Sequence, residues 1–231
     1  MSSIAIITAR GGSKRIPRKN IKEFLGKPII AYSIEAALKS CVFDEVMVST
    51  DDEEIADIAK KFGAKVPFLR SEATSNDFAT TADVINEVID NYEKTGKRFD
   101  IACCIYPTAP FLTGKKLREA FEIVKKDNVD SVIPVTEFSF APLRGMIINN
   151  GQLKYKWPEY AQVRSQDLEK MYHDAGQFYM FKIDSFKENK RMVSGNTSAI
   201  IIPETEVQDI DTFEDWEIAE IKYTNNKKKE E

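Results

Sequence analysis

The sequence predicts an α/β fold, a mostly parallel sheet with helices on both faces. Two observations carry this. Short apolar runs that suit strands buried on both sides alternate repeatedly with segments whose apolar residues recur at helical spacing. The chain of 231 residues, 42% hydrophobic and 30% charged, is also large and apolar enough for one compact domain with a real core.

Ser3 to Thr8 opens as a strand and runs into a loop with two glycines. After Pro28, Ile30, Ile34, Ala37 and Leu38 fall on one helical face. Glu45 to Ser49 reads as a strand, and a helix from about Asp52 carries Ile55, Ile58, Ala59 and Phe62 inward before Gly63 stops it. Ala64 to Phe68 reads as a third strand. A helix through Ile85, Val88, Ile89 and Tyr92 follows, then strand Asp100 to Ile105, helix Gly114 to Lys125 and strand Ser131 to Val135. The rhythm then breaks. Residues 138 to 170 hold aromatics, prolines and an Asn149-Asn150-Gly151 turn that predicts a hairpin between Met146–Ile148 and Leu153–Tyr155. Such an insertion suits a lid or an oligomer contact. Gln177 to Phe181 and Ala199 to Ile202 read as strands rejoining the sheet, a last helix starts near Thr212, and residues 225 to 231 read as a solvated, mobile tail.

Composition excludes several classes. A net charge of −4 argues against binding nucleic acid through the whole surface. No apolar run is long enough to span a bilayer, and the start has no signal-peptide pattern, so a cytoplasmic protein without a membrane partner is expected. Cys103 and Cys104 sit side by side in an apolar run and read as buried hydrophobes.

Against this acidic background the first loop is locally basic. Arg10, Lys14, Arg15, Arg18, Lys19, Lys22 and Lys27 face a single acid, Glu23. In an open parallel sheet the loop after the first strand is a favoured phosphate site. Gly11 and Gly12 let backbone amides approach an anion, and Arg10, Lys14 and Lys19 supply charge suited to a triphosphate. Neither the dinucleotide fingerprint nor the Walker pattern is present, which counts against a nicotinamide enzyme and a P-loop ATPase. Asp209 and Asp211 flank Ile210, so on an extended segment both carboxylates face one side. They suit magnesium; equally, Asp211 could cap the last helix with Glu214 at the capping-box position. Asp51 and Asp52 read as a helix cap. His173 is the sole histidine, a type more often structural than catalytic when it stands alone.

The stretch Ile7 to Lys22, ITARGGSKRIPRKNIK, closely resembles the nucleotide-binding signature of the CMP-sialic acid synthetases, cytidylyltransferases that activate nine-carbon keto-acid sugars. Val48–Asp52, Pro107–Pro110, Arg164–Asp167 and Asp209–Asp211 follow in the family's order, so the resemblance spans about residues 3 to 220. Within the family, Tyr172-His-Asp-Ala-Gly-Gln-Phe178 is more similar to the pseudaminic acid branch than to the N-acetylneuraminate branch. Thr8, where the family often has proline, and Tyr106, where the N-acetylneuraminate branch has glutamine, are departures from the pattern.

The resemblance implies a Rossmann-like sheet of the nucleotide-diphospho-sugar transferase type with an inserted dimerisation arm, hence a homodimer. It implies a reaction of CTP with the free sugar that yields a CMP-sugar and pyrophosphate, the anomeric hydroxyl attacking the α-phosphorus. It assigns Ala9, Arg10, Gly11, Gly12, Lys14, Lys19, Asn20, Asp77 and Thr80 to the nucleotide, with Arg10, Lys19 and Asp211 central to catalysis. It tips Asp209 and Asp211 toward a Mg2+ site, and places Thr108, Arg164, Gln166, His173 and Gln177 around the sugar. Arg164 suits a carboxylate and Gln177 an acylamino group, beside apolar Ala175 and Phe178. Two rivals remain open at this level: another nonulosonic acid as substrate, and a non-catalytic cytidine nucleotide sensor.

Overall fold

A computed structural model describes residues 1–230. In chain order the elements are β1 (Ser3–Thr8), β2 (Glu23–Phe24), β3 (Lys27–Pro28), α1 (Ile29–Ser40), β4 (Glu45–Ser49), α2 (Glu53–Lys61), α3 (Glu72–Ser75), α4 (Thr81–Lys94), β5 (Ile101–Ile105), α5 (Gly114–Val124), β6 (Ser131–Glu137), β7 (Met146–Asn149), β8 (Gln152–Tyr155), β9 (Tyr172–Asp174), β10 (Phe178–Lys182), α6 (Ile183–Asn189), β11 (Thr197–Ile201) and α7 (Phe213–Glu230). The central sheet runs β11-β6-β10-β5-β1-β4, with β9 beside the end of β6. Pairs β1–β4, β1–β5 and β6–β11 are parallel, whereas β10 is antiparallel to both β5 and β6.

Strands β1, β4, β5 and β10 are buried on both faces, as their unbroken apolar runs predict. Along β1, Ala5 and Ile7 enter one core layer with Ile30, Ile34, Leu117 and Ala120, while Ile4 and Ile6 enter the other with Ile85, Val88 and Ile89. Cys103 and Cys104 divide between the same two layers, and burial pushes the Cys104 thiol up to about 12. They pack as small apolar side chains.

Three expectations change. Residues 64 to 68 form one parallel bridge, Met47 to Lys65, instead of a strand. Lys65 exchanges hydrogen bonds with Val46 and Val48, but Pro67 has no N–H with which to continue the ladder. The last helix is capped by Thr212: its Oγ1 accepts from the Asp215 amide at 3.2 Å, and Asp215 Oδ2 accepts the Thr212 amide at 2.8 Å. Asp211 is thereby released from the capping role. Finally, α7 continues through Glu230 where a tail from Asn225 is expected; Glu231 lies outside the described residues.

A third apolar cluster fixes the site. Ile16 of the first loop, Phe24, Tyr32, Ile210, Trp216 and Ala219 pack together, so the loop and the Asp209–Asp211 segment share one apolar floor beneath α7. The inserted arm carries the expected hairpin. Asn150 and Gly151 have φ of 50° and 77°, the left-handed pair a two-residue turn requires, and Asn149 pairs with Gln152 across it.

Candidate active site

The carboxyl ends of β1, β4, β5, β6 and β11 lie on one edge of the sheet. Because β10 is antiparallel, the segment just before it, Asp174 to Gln177, is brought to the same edge. Two cavities open there. The first, about 410 Å³, is lined by Thr8, the first loop from Arg10 to Asn20, Tyr106, Pro107 and Thr108. The second, about 540 Å³, is lined by Thr136, His173, Asp174, Gly176, Tyr179, Asp209 and their neighbours. Tyr106 belongs to both linings.

Paired acids hold the cations of the first loop in place. Asp77 takes Arg10 at 2.8 Å and Lys14 at 2.6 Å, and these two hold its carboxyl below the usual range. Asp211 Oδ1 takes Arg15 at 2.8 Å and Lys19 at 3.4 Å, while Lys19 also donates to the Ile210 carbonyl at 2.6 Å. Arg18 is spent elsewhere, on Asp52 and Glu54. Lys22 lies over Trp216, and Lys27 pairs with Glu35 beside Tyr32, both outside the cavity lining. The basic run thus divides into Arg10, Lys14, Arg15 and Lys19 around the cavity, and residues that brace the fold.

Gly11 has a partner within the protein. The Gly11 amide donates to Asp51 Oδ1 at 3.0 Å, so it is already partnered by a carboxylate. A Cβ on Gly11 would stand 2.8 Å from Asp52 Oδ2, and Asp52 also accepts the Ile55 amide as the α2 cap. Gly11 therefore closes the loop onto the start of α2. Asn20 is buried and donates to the Arg10 carbonyl at 2.9 Å, which pins the two ends of the loop together. Ala9 is fully buried and extends the β1–β4 pairing through Ser49. Thr80 forms a reciprocal cap with Asp83 at the start of α4.

The expected sugar residues scatter. His173 lines the second cavity, its ring tilted against Phe138 with centroids 4.8 Å apart. Its Nδ1 lies 2.9 Å from the Asp174 carbonyl, which can only accept, so Nδ1 bears the proton. Thr108 lies in the first cavity. Arg164 and Gln166 are exposed on the arm, outside both linings. Gln177 points inward at the start of β10, donating to the Glu206 carbonyl at 2.6 Å, with Oε1 buried and unpartnered. Phe178 is likewise in the core, leaving Ala175 as the apolar contribution of that segment to the cavity. Residue type alone could not reveal this, because one step along an edge segment reverses the side a residue faces. Tyr179 and Asp174 go unassigned in the sequence; in the structure Tyr179 donates to Asp174 at 2.6 Å within the second cavity.

Asp209 and Asp211 straddle the two cavities, one lining the second and the other gripping the cations of the first. Desolvation and the charge of Asp211 hold the Asp209 carboxyl above its ordinary value. No cluster of three or more histidine, cysteine or acidic side chains stands ready for a metal among the described residues. Two carboxylates in mutual repulsion suit a hard divalent cation that completes its shell with water and substrate phosphate.

The chain is similar to known proteins along most of its length. The cytidylyltransferase family model matches residues 4–200. A pseudaminic acid cytidylyltransferase of Campylobacter jejuni is 43% identical over 98% of both chains. A CMP-N,N'-diacetyllegionaminic acid synthase of Legionella pneumophila is 38% identical over 95% of both. The solved structure of a CMP:2-keto-3-deoxy-manno-octonic acid synthetase superposes with a TM-score of 0.74 at 18% identity, covering 98% of this chain and all of that one, a likeness of fold. A sheet edge with a cation-lined cavity beside a second cavity, and a family match along most of the sequence, lead to one conclusion: the chain belongs to the cytidylyltransferase family.

Proposed function

We propose that the protein joins CTP and pseudaminic acid to give CMP-pseudaminic acid and pyrophosphate. One observation carries the reading: the cation-lined cavity and the second cavity share Tyr106 as a wall, with Asp209 lining the second and Asp211 paired to Arg15 and Lys19 of the first. The relatives from Campylobacter, named for this sugar, support the choice of acceptor.

Arg10, Lys14, Arg15 and Lys19 neutralise the triphosphate and hold it in the first cavity. The sugar, in the second, presents its anomeric hydroxyl to the α-phosphorus. The new O–P bond forms as the α–β phosphoanhydride breaks, the hydroxyl proton passes to solvent water, and pyrophosphate departs. Most of the acceleration then comes from alignment and electrostatics, with no covalent enzyme intermediate. Asp209 and Asp211 would hold Mg2+, which supplies charge stabilisation to the phosphates when bound.

The arm supports a homodimer. Phe140, Ile148 and Leu153 are 86%, 72% and 62% exposed, apolar surface that a second copy would cover. No described helix is long and apolar enough to cross a membrane. The test is pyrophosphate release from CTP over a panel of nine-carbon keto-acid sugars. Pseudaminic acid should be used best. Preference for another sugar would move the substrate, and binding of CTP without turnover of any sugar would leave a nucleotide sensor.

A further inference from the structure

Asp77 is the counter-ion of two of the four cations that line the first cavity. Its Oδ1 accepts from Arg10 at 2.8 Å and its Oδ2 from Lys14 at 2.6 Å. Arg10 and Lys14 belong to the lining, whereas Asp77 stands outside it, on the connection between α3 and α4. These pairs are open to water, the side chains of Arg10, Lys14 and Asp77 being 42%, 76% and 48% exposed. Ion pairs so placed are weak and screened, so an incoming anion can take the cations from them. The connection does not depend on them for its shape. Asn76 Oδ1 accepts the Phe78 amide at 2.8 Å and the Ala79 amide at 3.0 Å, and Thr80 and Asp83 cap α4 reciprocally. Asp77 can therefore release both cations while the loop keeps its turn.

We propose that Asp77 competes with the polyphosphate for Arg10 and Lys14, a positioning residue that loosens the hold on CTP and eases the departure of pyrophosphate. This rests on the reading of the first cavity as the CTP site. An ionised carboxylate and an ionised phosphate only accept hydrogen bonds, so neither can bond to the other and their charges repel. The donors that Asp77 engages are lost to the phosphates. After the reaction the same cations hold pyrophosphate, and Asp77 offers two of them another partner. An acid that merely braced the loop would weaken the site when removed. A competing one tightens it, so the sign of the change separates the two.

The experiment is calorimetric titration of CTP and of inorganic pyrophosphate, with magnesium, into full-length wild type, Asp77→Asn and Asp77→Glu. Asp77→Asn should bind both ligands about threefold to tenfold more tightly, the worth of two exposed ion pairs. Asp77→Glu restores the charge and should return both affinities toward wild type. In turnover, pyrophosphate should inhibit Asp77→Asn at a proportionally lower concentration, with the sugar KM within about twofold of wild type. Asp57→Asn removes the same charge from α2, where Asp57 pairs with Lys60 at 3.6 Å, and should leave both affinities unchanged. Circular dichroism checks each fold, and Asp77→Ser serves if Asp77→Asn does not fold. Unchanged or weaker binding of either ligand by the folded Asp77 variant overturns the inference, as does an equal gain in Asp57→Asn, which would make it an effect of net charge. If wild type binds CTP and turns over no sugar, the proposed reaction falls and these titrations still decide the role of Asp77. If wild type binds neither ligand, both fall.

Discussion

Lys19 donates from Nζ to the carbonyl of Ile210 at 2.6 Å, a contact between residues 191 apart in sequence. It ties the basic loop to the middle of the Asp-Ile-Asp segment. Its neighbours Ile16 and Ile210 are both about 1% exposed in the same apolar cluster, so packing and charge hold the two segments together. The cations proposed for the phosphates and the carboxylates proposed for a metal are therefore one assembly.

Alanine at Asp209 or at Asp211 should each lower CTP turnover by about a hundredfold or more, since losing a metal ligand forfeits several kcal/mol of charge stabilisation. The fold should persist, because the α7 cap belongs to Thr212 and Asp215. Rates measured across a magnesium titration check this; near wild-type activity in either variant removes that residue from the metal site.

Arg10→Ala and Lys19→Ala should raise the KM for CTP by about tenfold or more, and Lys27→Ala should leave it within about twofold. Lys27 is committed to Glu35 at 2.7 Å and lies outside the first cavity. Added salt should mimic part of the loss. Equal losses in all three would mean that diffuse surface charge binds the nucleotide.

Asp52 should make stability sensitive to acid. Its hydrogen bond from Arg18 holds the carboxyl below its ordinary value, aided by the Ile55 amide. A depressed carboxyl contributes stability above its unfolded value, about 4, and that contribution is lost as pH falls through the lower folded value. Asp52→Asn should thus lower the melting temperature by a few degrees at pH 7, and the gap to wild type should close once pH has fallen through the lowered folded value. A gap independent of pH would show that the carboxylate charge contributes nothing.

Ile148→Asp together with Leu153→Asp should convert a dimer into a folded monomer, because both side chains lie exposed on the hairpin and outside the core. Light scattering reports the mass and circular dichroism the fold. If the double variant remains dimeric, association uses another face.

What the sequence by itself determined is local. Buried strands, amphipathic helices and the Asn150-Gly151 hairpin were legible because their signals are periodicities and turn chemistry confined to a few consecutive residues. The basic character of the first loop and the Asp-Ile-Asp alternation were legible for the same reason. The tertiary structure decided what depends on distant partners. Pro67 reduced a predicted strand to a single bridge, and the antiparallel insertion of β10 carried Asp174 to the site edge while turning Gln177 and Phe178 inward. Asp77 and Asp211 sorted the cations of one basic run into a cavity lining, and the Tyr106 and Tyr179 rings met edge to face only once β5 and β10 were paired. A hydrogen bond or ion pair depends on separation in space, and separation in sequence says little about it until the sheet order is set.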